Sequence, residues 1–232
     1  MDKPRAVLFD AYGTLFDVYS VGLLAEQLFP GQGAKLAQVW RDKQIEYTRL
    51  VTTSDHGRHY EPFWQLTERA LIYAIKLIEP AARDRWSEYT ERSQRLMNQY
   101  RHLSAFPENR AVLQALKDKG IRTGILSNGD PEMLGIAVRS AHLEDVLDHV
   151  ISVDPIRLYK TCPEAYALGE SATGFTRDQI VFVSSNAWDA LAATWFGFRT
   201  LWVNRLNLPF EEFGTLPERT GRNLKDVLGF FD

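Results

Sequence analysis

Five short apolar runs punctuate the 232-residue chain, and each gives way to a small cluster of polar residues. They lie in "AVLFDAYGTLFD" (6–17), "IRTGILSNGD" (121–130), "HVISVDPIRLYKTCPEAY" (149–166), "QIVFVSSNAWDA" (179–190) and "FRTLWVN" (198–204). Near-continuous Val, Ile, Leu and Phe runs of this length suit strands buried on both faces. Alternation with helical patterns makes them parallel β-α units, so the expected class is α/β. In such sheets ligands gather at the carboxyl ends of the strands. Asp10, Ser127, Asn128, Lys160, Ser184, Ser185 and Asn186 all fall there.

Between residues 18 and 100 the pattern is helical throughout. Leu36, Trp40, Lys43, Tyr47 and Leu50 recur on one helix face, as do Phe63, Leu66, Ala70, Ala74 and Leu77. We read residues 18–100 as a helical cap inserted after the first strand, and residues 1–17 with 101–232 as the sheet core. The chain re-enters the sheet near Phe106 and Pro107. "LPERTGR" (216–222) reads as loop before a last short helix.

Composition narrows the partners. Hydrophobic residues make up 45% and charged residues 25%, ordinary for a globular chain. A net charge of -3 gives no basic field for nucleic acid or an anionic membrane, so an anionic substrate needs cations placed locally. The single cysteine, Cys162, excludes an internal disulfide and fits a reducing cytoplasm. The apolar run after Lys3 and Arg5 is too short for a signal peptide, and no stretch approaches a membrane span. The histidines at 56, 59, 102, 142 and 149 have no ligand spacing, and Cys162 has no CxxC partner. No metal and no cofactor are expected.

An Asp after a strand is most often a turn former. Here Gly13 and Thr14 complete a tight loop whose N–H groups can face Asp10 and its ligand, and a carboxylate held so can act as a nucleophile. "DAYGTL", "LSN", Lys160 and "SSNAWD", in this order, resemble the four motifs of the haloacid dehalogenase superfamily. "WRDKQIEYT", "ILSNGDP", "SVDPIRLYK" and "FEEFGTLP" extend the likeness over nearly the whole chain, to the L-2-haloacid dehalogenase branch.

That resemblance implies a Rossmann-like core and a nucleophilic Asp10. Phosphatases of the superfamily are similar but carry D-x-D first and G-D-x-x-x-D last, and these hold Mg²⁺. Tyr12 and Ser185 stand where two of those acids would be, leaving Asp10 and Asp189 with Lys160 to pair with them. Without the metal a phosphoryl group's charge lacks a partner, which argues against phosphatase chemistry. The implied cycle has Asp10 attack C2 of an L-2-haloalkanoate in line, expel halide and invert the centre. Water then opens the aspartyl ester to release a 2-hydroxy acid.

The same resemblance assigns the remaining roles. Lys160 would keep Asp10 charged. Asp189, by position alone a first-turn acid complementing the helix dipole, would activate water alone or with Lys160, and Ser184 and Asn186 would orient water and Asp10. Arg41 would receive the halide, as a permanently charged and weakly hydrated donor group. Ser127, Asn128 and the Ala11 N–H would bind the substrate carboxylate, helped by the free N–H groups before Pro131. Tyr12, Ile45, Phe63 and Trp188 would line an apolar pocket. Tyr166 is equally a packing aromatic or a hydrogen bonder. The polar loop "DHGRHYEP" (55–62) would shape the pocket entrance. A homodimer is the family's habit. Two rival functions stay open: a Mg²⁺-dependent phosphatase of the same fold, and a non-catalytic interaction protein.

Overall fold

The computed structural model describes residues 3–232, so the first two residues of the expected core segment lie outside it. Six parallel strands form one sheet: β1 (Ala6–Phe9), β2 (Arg122–Ser127), β3 (His149–Ser152), β4 (Ile180–Ser184), β5 (Arg199–Val203) and β6 (Arg219–Gly221). Their spatial order is β3-β2-β1-β4-β5-β6. The chain thus builds outward from β1 on one side, then returns to place β4 on the other. Between β1 and β4 the order reverses, and the connections leaving the two strands diverge there. This opens the crevice in which such sheets hold ligands.

Alternation along β1 explains the two layers. Val7 and Phe9 pack on one face with α5 (Asn109–Asp118), α6 (Pro131–Ser140) and the final 3-10 turns at Leu224–Phe230. Ala6 and Leu8 pack on the other face with α7 (Pro163–Thr173) and α8 (Ala187–Phe196). A strand wholly buried on both faces must be apolar at every position, which is why the runs read as they do.

The β6 strand corrects the expected loop at 216–222. It spans three residues, of which Arg219 and Thr220 are exposed, so no buried apolar run announces it. The expected last helix is present, as the 3-10 turns after Asn223.

Between β1 and β2 the chain forms α1 (Gly22–Leu28), α2 (Gly33–Thr53), α3 (Phe63–Ile78) and α4 (Thr90–Arg101). It leaves and re-enters side by side: Asp17 N donates to Ser104 O at 2.8 Å and Phe106 N to Leu15 O at 3.1 Å. The expected helix stripes are out of phase at their ends. Leu50 is 55% and Leu77 41% exposed, while Gln44, Thr48, Thr67, Leu71 and Ile75 are buried. Polar side chains that find partners inside the helical layer displaced the purely apolar stripe. Among the described residues no helix is long and apolar enough to cross a membrane.

Candidate active site

The turn after β1 is closed by its own backbone. Ala11 O accepts from the N–H groups of Thr14, Leu15 and Phe16, while Gly13 N donates to Phe16 O at 2.7 Å. Gly13 has φ +96°, a conformation that side-chain-bearing residues rarely adopt. This bend leaves Asp10 at the sheet edge, where it is 6% exposed.

Three donors converge on the Asp10 carboxylate. Lys160 Nζ reaches Oδ1 at 3.1 Å, while Thr14 Oγ1 at 3.1 Å and Asn186 Nδ2 at 2.9 Å donate to Oδ2. Thr14 Oγ1 itself accepts from Ser185 N at 2.8 Å, so its single proton is directed at Asp10. Ser184 Oγ accepts from Asn186 N and steadies the same turn.

Lys160 continues to Asp189, with Nζ 3.0 Å from Oδ2. Tyr166 Oη donates to Asp189 Oδ1 at 2.7 Å from α7, and its ring packs edge-on against Phe182 and Phe198. Tyr166 is therefore both a packing aromatic and a hydrogen bonder. Burial pushes the Asp189 carboxyl above the ordinary carboxylate range, with the Asp10 charge adding to the rise and Lys160 opposing it. Burial likewise raises the Tyr166 hydroxyl far above its usual value, so it stays a donor.

Arg41 reaches in from α2. Its Nη2 donates to Tyr12 O and Asn186 Oδ1, each at 3.1 Å, and its Nη1 to Gln44 Oε1 at 2.7 Å. A cavity of about 20 Å³ results, lined by Asp10, Tyr12, Arg41, Ile45, Thr48, Phe63, Ser127, Asn128, Asn186 and Trp188. Every residue expected to meet substrate is on that wall except Ala11, which is buried in the turn beneath. Thr14, Lys160, Tyr166, Ser184 and Asp189 stand behind it. Asn128 Oδ1 also accepts from Lys160 N at 2.9 Å, tying two strand ends together. None of residues 55–62 lines this cavity. This loop packs through Gly57 against Arg157 and Leu158, and through Tyr60 Oη to Asp154 Oδ1 at 2.5 Å.

Sequence reasoning missed Gln44, Thr48 and Tyr100. Gln44 and Tyr100 support the wall from behind; they read as helix-face residues because a search for apolar periodicity passes over polar ones.

The superfamily's Mg²⁺ does not fit this site. The Tyr12 ring is packed among Phe63, Tyr100 and Phe16, and presents no anionic oxygen. The Lys160 ammonium fills the space between Asp10 and Asp189, where a second cation would be repelled. Among the described residues no group of three or more His, Cys, Asp or Glu is arranged to hold a metal ion.

Comparison with known proteins agrees with the fold and shows the family. The haloacid dehalogenase-like hydrolase family matches residues 4–197, and the chain belongs to that family. The likeness extends over the full length to one branch of it. The (S)-2-haloacid dehalogenase of Pseudomonas sp. (strain YL) is 40% identical, over 100% of this chain and 96% of that protein. Haloacetate dehalogenase H-2 of Moraxella sp. (strain B) is 40% identical over 95% of this chain and 94% of its own length. Among solved structures, the L-2-haloacid dehalogenase RSc1362 superposes with a TM-score of 0.91 at 50% identity, covering 99% of both chains. The L-2-haloacid dehalogenase of Xanthobacter autotrophicus with chloropropionic acid covalently bound gives 0.85 at 33% identity, covering 98% of both.

Proposed function

We propose that this chain is an (S)-2-haloacid dehalogenase that converts short L-2-haloalkanoates and haloacetates to 2-hydroxy acids through an ester on Asp10. One observation carries the reading: Asp10 is a buried carboxylate served by an ammonium, a hydroxyl and an amide, and it faces a small cavity walled by Tyr12, Ile45, Phe63 and Trp188 together with polar groups and the Arg41 guanidinium.

The hydrogen bonds divide the labour between the two Asp10 oxygens. Oδ2 has both lone pairs engaged, by Thr14 and Asn186, whereas Oδ1 keeps one beside Lys160. Oδ1 attacks C2 from the side opposite the halide, inverting the centre, and the halide leaves toward Arg41. Much of the acceleration comes from holding oxygen, carbon and halide in line. Water then adds to the Asp10 carboxyl carbon, with Asp189 as the base beside Lys160. The negative charge that develops on Oδ2 meets the Thr14 and Asn186 donors already in place. Oδ1 departs with C2 and takes up the proton that Asp189 drew from the water, which makes the product hydroxyl, and the water oxygen stays in Asp10. Ser127, Asn128 and the Ala11 N–H hold the substrate carboxylate, while Tyr12, Ile45, Phe63 and Trp188 hold its alkyl part.

In this reading residues 18–100 act as a cap that delivers Arg41 to the core of residues 1–17 and 101–232. Leu50, Tyr73 and Leu77, exposed on α2 and α3, support a homodimer. The lone cysteine supports a cytoplasmic setting. A single turnover with enzyme in excess, run in ¹⁸O-water, tests the chemistry. Label is expected in Asp10, with an unlabelled first product; label entering the product directly overturns the ester route.

A further inference from the structure

Gln44 is 1% exposed, one helical turn beyond Arg41 on α2, and its amide is saturated at both ends. Its Nε2 donates to Thr67 Oγ1 at 2.6 Å and to Tyr100 Oη at 3.1 Å; its Oε1 accepts from Arg41 Nη1 at 2.7 Å. The orientation of this amide is fixed from outside. The Thr67 hydroxyl gives its only proton to Phe63 O at 2.7 Å, so toward Gln44 it can only accept. Trp40 Nε1 donates to Thr67 O at 2.8 Å and holds that residue in turn. The amide must therefore turn its NH₂ to Thr67 and its carbonyl to Arg41.

Asn186 repeats the arrangement from the core side. Its Nδ2 is bound to Asp10 Oδ2, which leaves Oδ1 to accept from Arg41 Nη2 at 3.1 Å. Together with Tyr12 O, these make three acceptors for the guanidinium, and all are neutral oxygens. A carboxylate would grip Arg41 more strongly, but it would also neutralise the charge that a departing halide needs.

We propose that Gln44 is the positioning residue for Arg41: it fixes the guanidinium at the cavity wall while leaving its charge uncompensated for the leaving halide. This rests on the dehalogenase function above. It makes leaving-group dependence the property that Gln44 controls, because a poor leaving group draws most on electrophilic help.

The test measures single-turnover halide release from bromoacetate and chloroacetate in the unaltered protein, Gln44→Glu and Gln44→Leu. Glu is nearly isosteric and keeps the contact but closes an ion pair. The bromide-to-chloride rate ratio is expected to rise about tenfold, the effect of a barrier change near 1.4 kcal/mol. Gln44→Leu frees the guanidinium and is expected to slow both substrates, chloroacetate more. A purely structural role would slow both equally, so an unchanged ratio in the folded variants overturns the inference. Should Gln44→Glu fail to fold, Thr67→Val, which removes the acceptor that orients the amide, carries the same expectation and the same overturning result. Halide release by the unaltered protein with an unchanged ratio in the variants sinks this inference alone; no release by the unaltered protein sinks the dehalogenase reading with it.

Discussion

Lys160 and Asp189 form a completely enclosed ion pair, Nζ to Oδ2 3.0 Å, with side chains 1% and 0% exposed. The same ammonium lies 3.1 Å from Asp10 Oδ1, so one cation compensates two carboxylates. Removing one partner from such a group leaves buried charge uncompensated, which costs about 3–5 kcal/mol. Lys160→Met is therefore expected to lose halide release and to lower the thermal midpoint at neutral pH. With the ammonium gone, the main opposition to the burial that already raises the Asp189 carboxyl is lost, so this acid favours its neutral form in the fold and folding takes up a proton. The stability gap to the unaltered protein should narrow as pH falls; a gap constant from pH 8 to 5 would show that Asp189 is not desolvated as described.

The Tyr166 hydroxyl favours the ionised form of Asp189, whose carboxyl burial holds above the ordinary range. In the role proposed for it as the base, Asp189 works only when ionised, so ester hydrolysis is expected to slow as pH drops through its pKa. Tyr166→Phe removes a donor to the charged form and raises that pKa further. The acid limb of ester hydrolysis, followed after rapid mixing, is expected to move to higher pH. A shift to lower pH, or none, would place the base elsewhere.

These two residues show how far the sequence carried the site. Asp10 stands directly past β1, where a carboxylate is conspicuous after an apolar run; Lys160, eight residues past β3, and Asp189, in the first turn of α8, are ordinary by position and are legible only through the order of the family's motifs. The spacing of Tyr166 from Lys160 suits packing and hydrogen bonding equally; the enclosed Asp189 makes it both. Gln44 and Thr67 left no signal, since a buried amide and hydroxyl look like surface residues until the partners that satisfy them are seen. For the fold, β1 and β4 are legible because every residue in them is buried, and β2 and β5 because all but their first residue is; the edge strand β3 is only partly buried and is legible from its short apolar pair before a polar cluster. The exposed Arg219 and Thr220 of β6 carried no such signal.

The left-handed turn at Gly13 is expected to resist substitution for backbone reasons alone. An added Cβ would lie 3.5 Å from Asn186 Nδ2, an ordinary contact, so no clash is involved. Holding a residue with a Cβ at φ +96° costs about 1–2 kcal/mol. Gly13→Ala should lower the unfolding free energy by that amount, read as a lower denaturation midpoint at an unchanged denaturant slope. A neutral or stabilising effect would mean that the turn is not held in this conformation.

Arg41 provides the sharpest test of what the cavity wall does. Its guanidinium lines the cavity that Asp10 shares and is fixed by three neutral oxygens, and among the described residues no other cation lines that cavity. If it receives the halide, its removal should matter in proportion to how poorly the halide leaves. Arg41→Ala is expected to reduce the rate on chloroacetate by about 100-fold or more, the loss of roughly 2.7 kcal/mol of transition-state stabilisation. The loss on bromoacetate should be smaller and that on fluoroacetate larger. The helix carrying Arg41 is held by Trp40 and Gln44 independently of the guanidinium, so the variant should fold, and thermal melting checks this. Equal losses on all three substrates would assign Arg41 to holding the helices against the sheet edge, and an unchanged rate would remove it from the reaction.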